Sequence, residues 1–198
     1  MIRSHHRDGL SLLTIDRPDK ANALTADMLR DLRAGVAQAL DSGARALILT
    51  GAGRVFSAGA DLDQARAGLA TAPEWEDLSA ALAALPCLTV AALNGSLAGG
   101  AFGMALACDI RLAVPDARFF YPVMRLGFLP QPSDPARLVA LVGPARARMI
   151  LMAGARIDAP EALAWGLVDR ILPAPDLMDA ARALATDALA ADPAHVAT

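Results

Sequence analysis

The 198-residue sequence has few of the residues that most often announce a function: two cysteines, three histidines and 4% aromatic residues. Cys87 and Cys108 have no histidine near them and a spacing that suits neither a zinc site nor a disulfide framework, so both are read as buried thiols and no metal site is expected. His5, His6 and His195 sit at the chain ends and are poor candidates for a catalytic base. An excess of one charge is also missing. The formal net charge is −3 and the arginines are scattered, which excludes a basic stripe and with it nucleic acid or an anionic membrane as partner. No segment reaches the roughly 18 uninterrupted apolar residues of a membrane span. The stretch MIRSHHRDGLSLLTID lacks the apolar core of a signal peptide, so a cytoplasmic protein acting on a small molecule is expected.

Familiar nucleotide and nucleophile motifs are absent too. Gly51-x-Gly53 begins like a dinucleotide fingerprint, but Phe56 stands where the third glycine belongs. There is no GxxxxGK[ST], and no GxSxG surrounds Ser57 or Ser96, so phosphate-loop and serine-hydrolase chemistry lose their defining turns.

With 55% apolar and 20% charged residues, the chain suits one globular domain with a sizeable core. Leu10 to Asp16 reads as a first strand, stopped by Arg17-Pro18-Asp19. Thr25 reads as an N-cap, and Leu29, Leu32, Val36 and Leu40 recur at helical spacing until Gly43. RALILT, ending at Thr50, is a compact apolar run suited to a strand covered on both faces. A second helix from Pro73 carries Trp75, Leu78, Leu82 and Leu85 on one face, and buried strands follow at Leu88 to Leu93 and Ile110 to Val114. Beyond Phe120 helices dominate, over Pro135 to Val142, Ala145 to Ala153 and Pro160 to Trp165, with a short strand at Leu167 to Leu172 and a last helix from about Asp176. This alternation predicts an α/β fold with a largely parallel sheet, whose ligands bind beyond the strand ends. Ala65 to Ala72 (ARAGLATA) is the expected mobile loop.

Two turns stand out at those ends: Ala58-Gly59-Ala60-Asp61 and Ala98-Gly99-Gly100-Ala101, each after a buried strand and opening a helix. A helix start leaves backbone N–H groups free, and small residues let a ligand oxygen approach them. Two such starts facing one point would form an oxyanion hole; glycines that merely permit close helix packing are the plainer alternative.

These stretches resemble the crotonase, or enoyl-CoA hydratase/isomerase, superfamily. The resemblance rests on Ile15-Asp16-Arg17-Pro18, Lys20-Ala21-Asn22-Ala23-Leu24, FSAGADL, NGSLAGGAFGMALACD and AWGLVDRILP, and spans nearly all of the chain. It implies an α/β fold of the crotonase-like ββα spiral type, with residues 1–175 as spiral core and 176–198 as the start of a truncated or naturally short C-terminal helical region. It further implies an acyl-CoA thioester as substrate, coenzyme A entering only as part of it and no other cofactor, fatty acid metabolism as setting, and a homotrimer or hexamer. The thioester carbonyl is expected between the backbone N–H groups of Ala60 and Gly100, with Lys20, Ala21, Ala23, Ala60, Asp61, Leu62 and Gly100 contacting the CoA portion.

The resemblance also marks a loss. Hydratases of this superfamily use two glutamates, and Gly103 and Val123 occupy those positions here. General acid-base groups contribute roughly 100- to 10,000-fold each, so ordinary hydration is not expected from an unaided pocket. Tyr121, Asp63, Gln131 and Asp134 are the candidate substitutes by sequence. Three readings stay open: base-independent chemistry such as decarboxylation of a malonyl-type thioester, a hydratase or isomerase with a relocated acid or base, and a non-catalytic acyl-CoA-binding protein or partner subunit. Phe102, Met104, Met124 and Phe128 are candidates for an apolar pocket wall, with plain core packing the commoner role of such residues near a helix.

Overall fold

The computed structural model describes residues 1–196. The chain opens with a hairpin, β1 (Ile2–Arg7) and β2 (Leu10–Ile15), joined by Asp8 and Gly9, both at positive φ. An Asp-Gly pair at positive φ matches the twist of a two-residue hairpin turn. β1 is a finding the sequence pattern did not suggest: IRSHHR is a polar edge strand, mostly exposed and without apolar alternation. Helix α1 (Ala26–Asp41) begins at Thr25, whose hydroxyl accepts from the Met28 amide at 3.2 Å, and buries Leu29, Leu32 and Val36.

Three strand-strand-helix units then follow in succession. In the first, β3 (Ala46–Gly51) leads to β4 (Val55–Ser57) and α2 (Leu62–Arg66). Helix α3 (Glu74–Ala83) intervenes before β5 (Leu88–Leu93), β6 (Ser96–Ala98) and α4 (Phe102–Leu106). The third unit is β7 (Ile110–Ala113), β8 (Arg118–Phe120) and α5 (Val123–Leu126). The long first strands join one six-stranded sheet, completed by β10 (Arg170–Ile171) in the order β1-β2-β3-β5-β7-β10 and parallel apart from β1. The short second strands join a separate four-stranded sheet, β4-β6-β8-β9, in which β9 (Arg156–Asp158) is the antiparallel edge. Each unit therefore advances one strand in both sheets at once, a spiral in which the second strand of each pair delivers its turn to the same end.

The remaining helices are α6 (Asp134–Val142), α7 (Pro144–Leu151), α8 (Ala159–Trp165), α9 (Leu177–Leu184), α10 (Thr186–Ala190) and α11 (Pro193–Val196). The core is continuous from α1 through β3 and β5 to α9. Cys87 and Cys108 are buried thiols, as expected, and burial pushes them up to about 11 and about 12. Residues 65–72 differ from the expected loop: they contain the end of α2 and a 3-10 turn at Leu69–Thr71, with Leu69 buried and its carbonyl accepting from the Trp75 indole at 2.8 Å. Among the described residues no helix is long and apolar enough to cross a membrane.

Candidate active site

The two glycine turns meet. Gly59, at φ +90°, lies so close to the second turn that a Cβ there would stand 2.9 Å from the Ala98 carbonyl oxygen and 3.4 Å from Gly99 Cα. Only a residue without a side chain allows both this backbone angle and this contact. Ala60 is bridged to Leu24 in parallel fashion, with the Leu24 amide donating to Gly59 O and the Asp61 amide to Leu24 O, each at 2.8 Å. In such a bridge the intervening amide points to the opposite side, so the Ala60 N–H faces away from Leu24. Gly100 lies in the 3-10 turn Gly99–Ala101 that opens α4, with the Trp75 indole packed over it. Neither the Ala60 nor the Gly100 amide has an acceptor among the described residues, and both residues line the same cavity of about 140 Å³.

The cavity walls are mostly apolar, formed by Leu62, Ala65, Trp75, Phe120, Val123, Leu126, Phe128 and Leu129. Phe128 thus joins the pocket wall as expected. Phe102 and Met104 do not; they are buried in the core, because α4 turns these side chains into the packed interior, and Met124 faces outward at 47% exposure.

A family model described as enoyl-CoA hydratase/isomerase matches residues 5–198. The chain belongs to the enoyl-CoA hydratase/isomerase family. The Bacillus subtilis (strain 168) protein YngF is 38% identical over 192 residues, covering 93% of this chain and 72% of YngF. Among solved structures, the enoyl-CoA hydratase/isomerase from Pseudoalteromonas atlantica T6c superposes with a TM-score of 0.91 at 29% identity, over 99% of this chain and 79% of that one. Pseudomonas aeruginosa DspI gives 0.90 at 32% identity, over 99% and 83%.

In this enoyl-CoA hydratase/isomerase family member the segment expected to contact CoA runs beside the first turn. Ala58 N donates to Ala21 O at 3.0 Å, and Ala21 and Asn22 are both left-handed, which throws Lys20 out to solvent. Asn22 is the fastener, a residue whose importance the sequence did not reveal. Fully buried, its Nδ2 donates to Ala52 O at 2.9 Å and Val55 O at 2.6 Å, while its Oδ1 accepts from Arg17 N at 2.8 Å. Asp61 caps α2 and pairs with Arg17 at 2.8 Å; the Arg17 hydrogen bond above all holds its carboxyl below the usual range. Leu62 stands at the cavity rim, 73% exposed.

The structure separates the four candidate substitutes for the missing glutamates. Asp63 is 92% exposed at its side chain, ion-paired to Arg66 and outside the cavity lining. Its place in the first turn of α2 points it to water. Tyr121 and Gln131 line the cavity. Asp134 lies directly behind them, fully buried, and accepts the Tyr121 hydroxyl proton at 2.9 Å, while the Gln131 backbone N–H donates to the same hydroxyl at 3.4 Å. Burial pushes the Asp134 carboxyl up to about 7, against the pull of the Tyr121 hydrogen bond and of Arg137. Burial and the adjacent carboxylate also raise the Tyr121 hydroxyl. The loop ahead of α6 is held from the other side by Glu76 of α3, which accepts from both the amide and the hydroxyl of Ser133. Gly103 and Val123 are buried, and neither carries a group able to move a proton.

Proposed function

We propose that the cavity binds an acyl-CoA thioester and stabilises its enolate, with the thioester carbonyl oxygen held by the Ala60 and Gly100 amides. The observation that carries this reading is the pair of unpartnered amides on two turns in backbone contact, both lining one apolar cavity. Two preorganised donors of this kind stabilise charge that appears only as the enolate forms, and the loss of one typically costs roughly 100- to 1,000-fold in rate. The apolar walls suit an acyl chain, and the CoA portion is assigned to Lys20, Ala21, Ala23, Asp61 and Leu62, of which Leu62 lines the cavity and Ala21 accepts from the Ala58 amide of the first turn. Membership of the enoyl-CoA hydratase/isomerase family supports the same substrate class.

The test is acetoacetyl-CoA, whose acidic thioester gives an enolate visible by near-ultraviolet absorbance. Binding is expected to raise the enolate fraction at fixed pH, and Gly100→Pro, which removes one N–H at a position of ordinary backbone φ, is expected to abolish the rise. Binding without any change in enolate absorbance would overturn the oxyanion hole, and failure to bind any acyl-CoA would overturn the substrate class.

A further inference from the structure

A side chain added at position 103 would enter occupied space. A Cβ on Gly103 would lie 2.9 Å from Asp134 Oδ1 and 3.5 Å from Oδ2, so the carboxylate of α6 fills the volume that a residue on α4 would otherwise use. Asp134 Oδ1 has no hydrogen-bond partner among the described residues, although its atom is buried. A buried, half-satisfied carboxyl costs stability. Its other oxygen takes the proton of Tyr121, a cavity-lining residue.

From this arrangement we infer that Tyr121 and Asp134 form a proton relay into the acyl cavity, Tyr121 as the catalytic residue that meets the substrate and Asp134 as the positioning residue that stores the proton. The inference rests on the thioester reading above. In the forward step the C–H bond next to the thioester carbonyl breaks and its electron pair forms the enolate double bond, while the carbonyl oxygen takes up the negative charge. The released proton joins Tyr121 Oη, and the hydroxyl proton already there passes to Asp134 Oδ2. No charge stays on the tyrosine. Reversal returns the proton to the same carbon, or to the far end of a conjugated enolate, which moves a double bond without any other reactant.

The groups facing Asp134 fit this role. Arg137 on its own helix favours the ionised form, Glu76 on α3 opposes it, α4 presents only uncharged Gly103, and Tyr121 supplies the hydrogen bond. The raised Tyr121 hydroxyl keeps the tyrosine a conduit, and a store near neutrality can be filled and emptied at working pH.

The experiment is deuterium exchange at the carbon next to the carbonyl of butyryl-CoA in D2O, followed by NMR, with butyryl-CoA binding measured by calorimetry on the same samples. The wild-type exchange rate is expected to rise with pH and level off above about 7. Tyr121→Phe and Asp134→Asn are each expected to lower it on the order of 100-fold or more with binding retained, and Asp134→Asn to erase the pH inflection. Binding with exchange that neither substitution changes, or no exchange in the wild type, overturns the relay alone. Absence of butyryl-CoA binding by the wild type overturns the relay together with the thioester reading. Should Asp134→Asn fail to fold, the wild-type pH profile and Tyr121→Phe decide: a flat profile or undiminished exchange in Tyr121→Phe rejects the relay.

Discussion

Gly103 and Asp134 compete for one volume: the glycine is bare where the carboxylate of the next helix pair comes within 2.9 Å of its missing Cβ. Gly103→Ala should therefore displace Asp134, weaken its 2.9 Å bond to Tyr121 and destabilise the fold by about 1–3 kcal/mol, the usual range for overpacking. In an Asp134→Ala background the same change should cost much less, because the obstructing oxygen is gone. A double-mutant cycle by chemical denaturation measures the coupling. Strict additivity would mean that the two residues do not share the space.

The pH dependence of stability follows from the same carboxyl. Its folded pKa of about 7 lies above the ordinary carboxylate value near 4, so between these limits the folded protein holds a proton that the unfolded chain has released. Its contribution is complete below about 4 and is lost as pH rises through 7. Asp61 and Glu76 are shifted the opposite way, and their contributions fade only below the ordinary carboxylate range. Across pH 4.5 to 7 the wild type should thus lose stability relative to Asp134→Asn with a slope of up to about 1.4 kcal/mol per pH unit. Urea titrations of both proteins at several pH values check it, and parallel curves would refute it.

From a left-handed conformation with φ of 55°, Asn22 joins three backbone groups: Arg17 N, Ala52 O and Val55 O at the start of β4. Asn22→Ala removes every one of those bonds and leaves at φ of 55° a residue that tolerates the left-handed region less well than asparagine, which should cost about 2–4 kcal/mol. Asn22→Asp should be no better, since a carboxylate oxygen would then face the Ala52 and Val55 carbonyls. Thermal unfolding of the pair tests this; a milder effect for aspartate would show that the Nδ2 bonds do not dominate.

What the sequence revealed depended on the range of each signal. β3 and β5 are continuous apolar runs buried on both faces, and α1 has its cap and one apolar stripe, so local pattern sufficed. β4 and β6 are three residues each, too short to show alternation, which hid the second sheet that carries both turns. β1 is a polar edge strand without apolar alternation, so pattern did not reveal it; the Asp8-Gly9 turn is the local signal that could have. Gly103 and Val123 could be read as lost acids from resemblance, and Tyr121, Gln131 and Asp134 stood out as nearby polar residues. That Asp134 returns to the space beside Gly103 could not be read, because it depends on α6 docking against α4 rather than on any spacing. The segment at 65–72 misled for a related reason: its small residues look loose, while the Trp75 indole that ties down Leu69 belongs to the next helix.

Alongside Gln131, whose Nε2 donates to Ala70 O at 3.5 Å, Trp75 links this segment to the site. Its ring covers Gly100 at 3.2 Å from the position of a Cβ, its Nε1 donates to Leu69 O at 2.8 Å, and it is 3% exposed. Trp75→Ala removes the wall above the second turn and the tether of the segment together. The cavity cost of such a truncation is about 3–5 kcal/mol. The tether predicts a second, local effect: Arg66 and its neighbours in α2 should become sensitive to trypsin under conditions where the rest of the chain stays folded. Trp75→Phe shifts the balance between the two contributions, since it keeps an aromatic ring near Gly100 while losing the indole N–H together with part of the bicyclic ring. That variant should retain most of the stability yet show the enhanced cleavage, whereas cleavage that tracks global unfolding alone would mean that packing, and not the hydrogen bond, holds residues 65–72 in place.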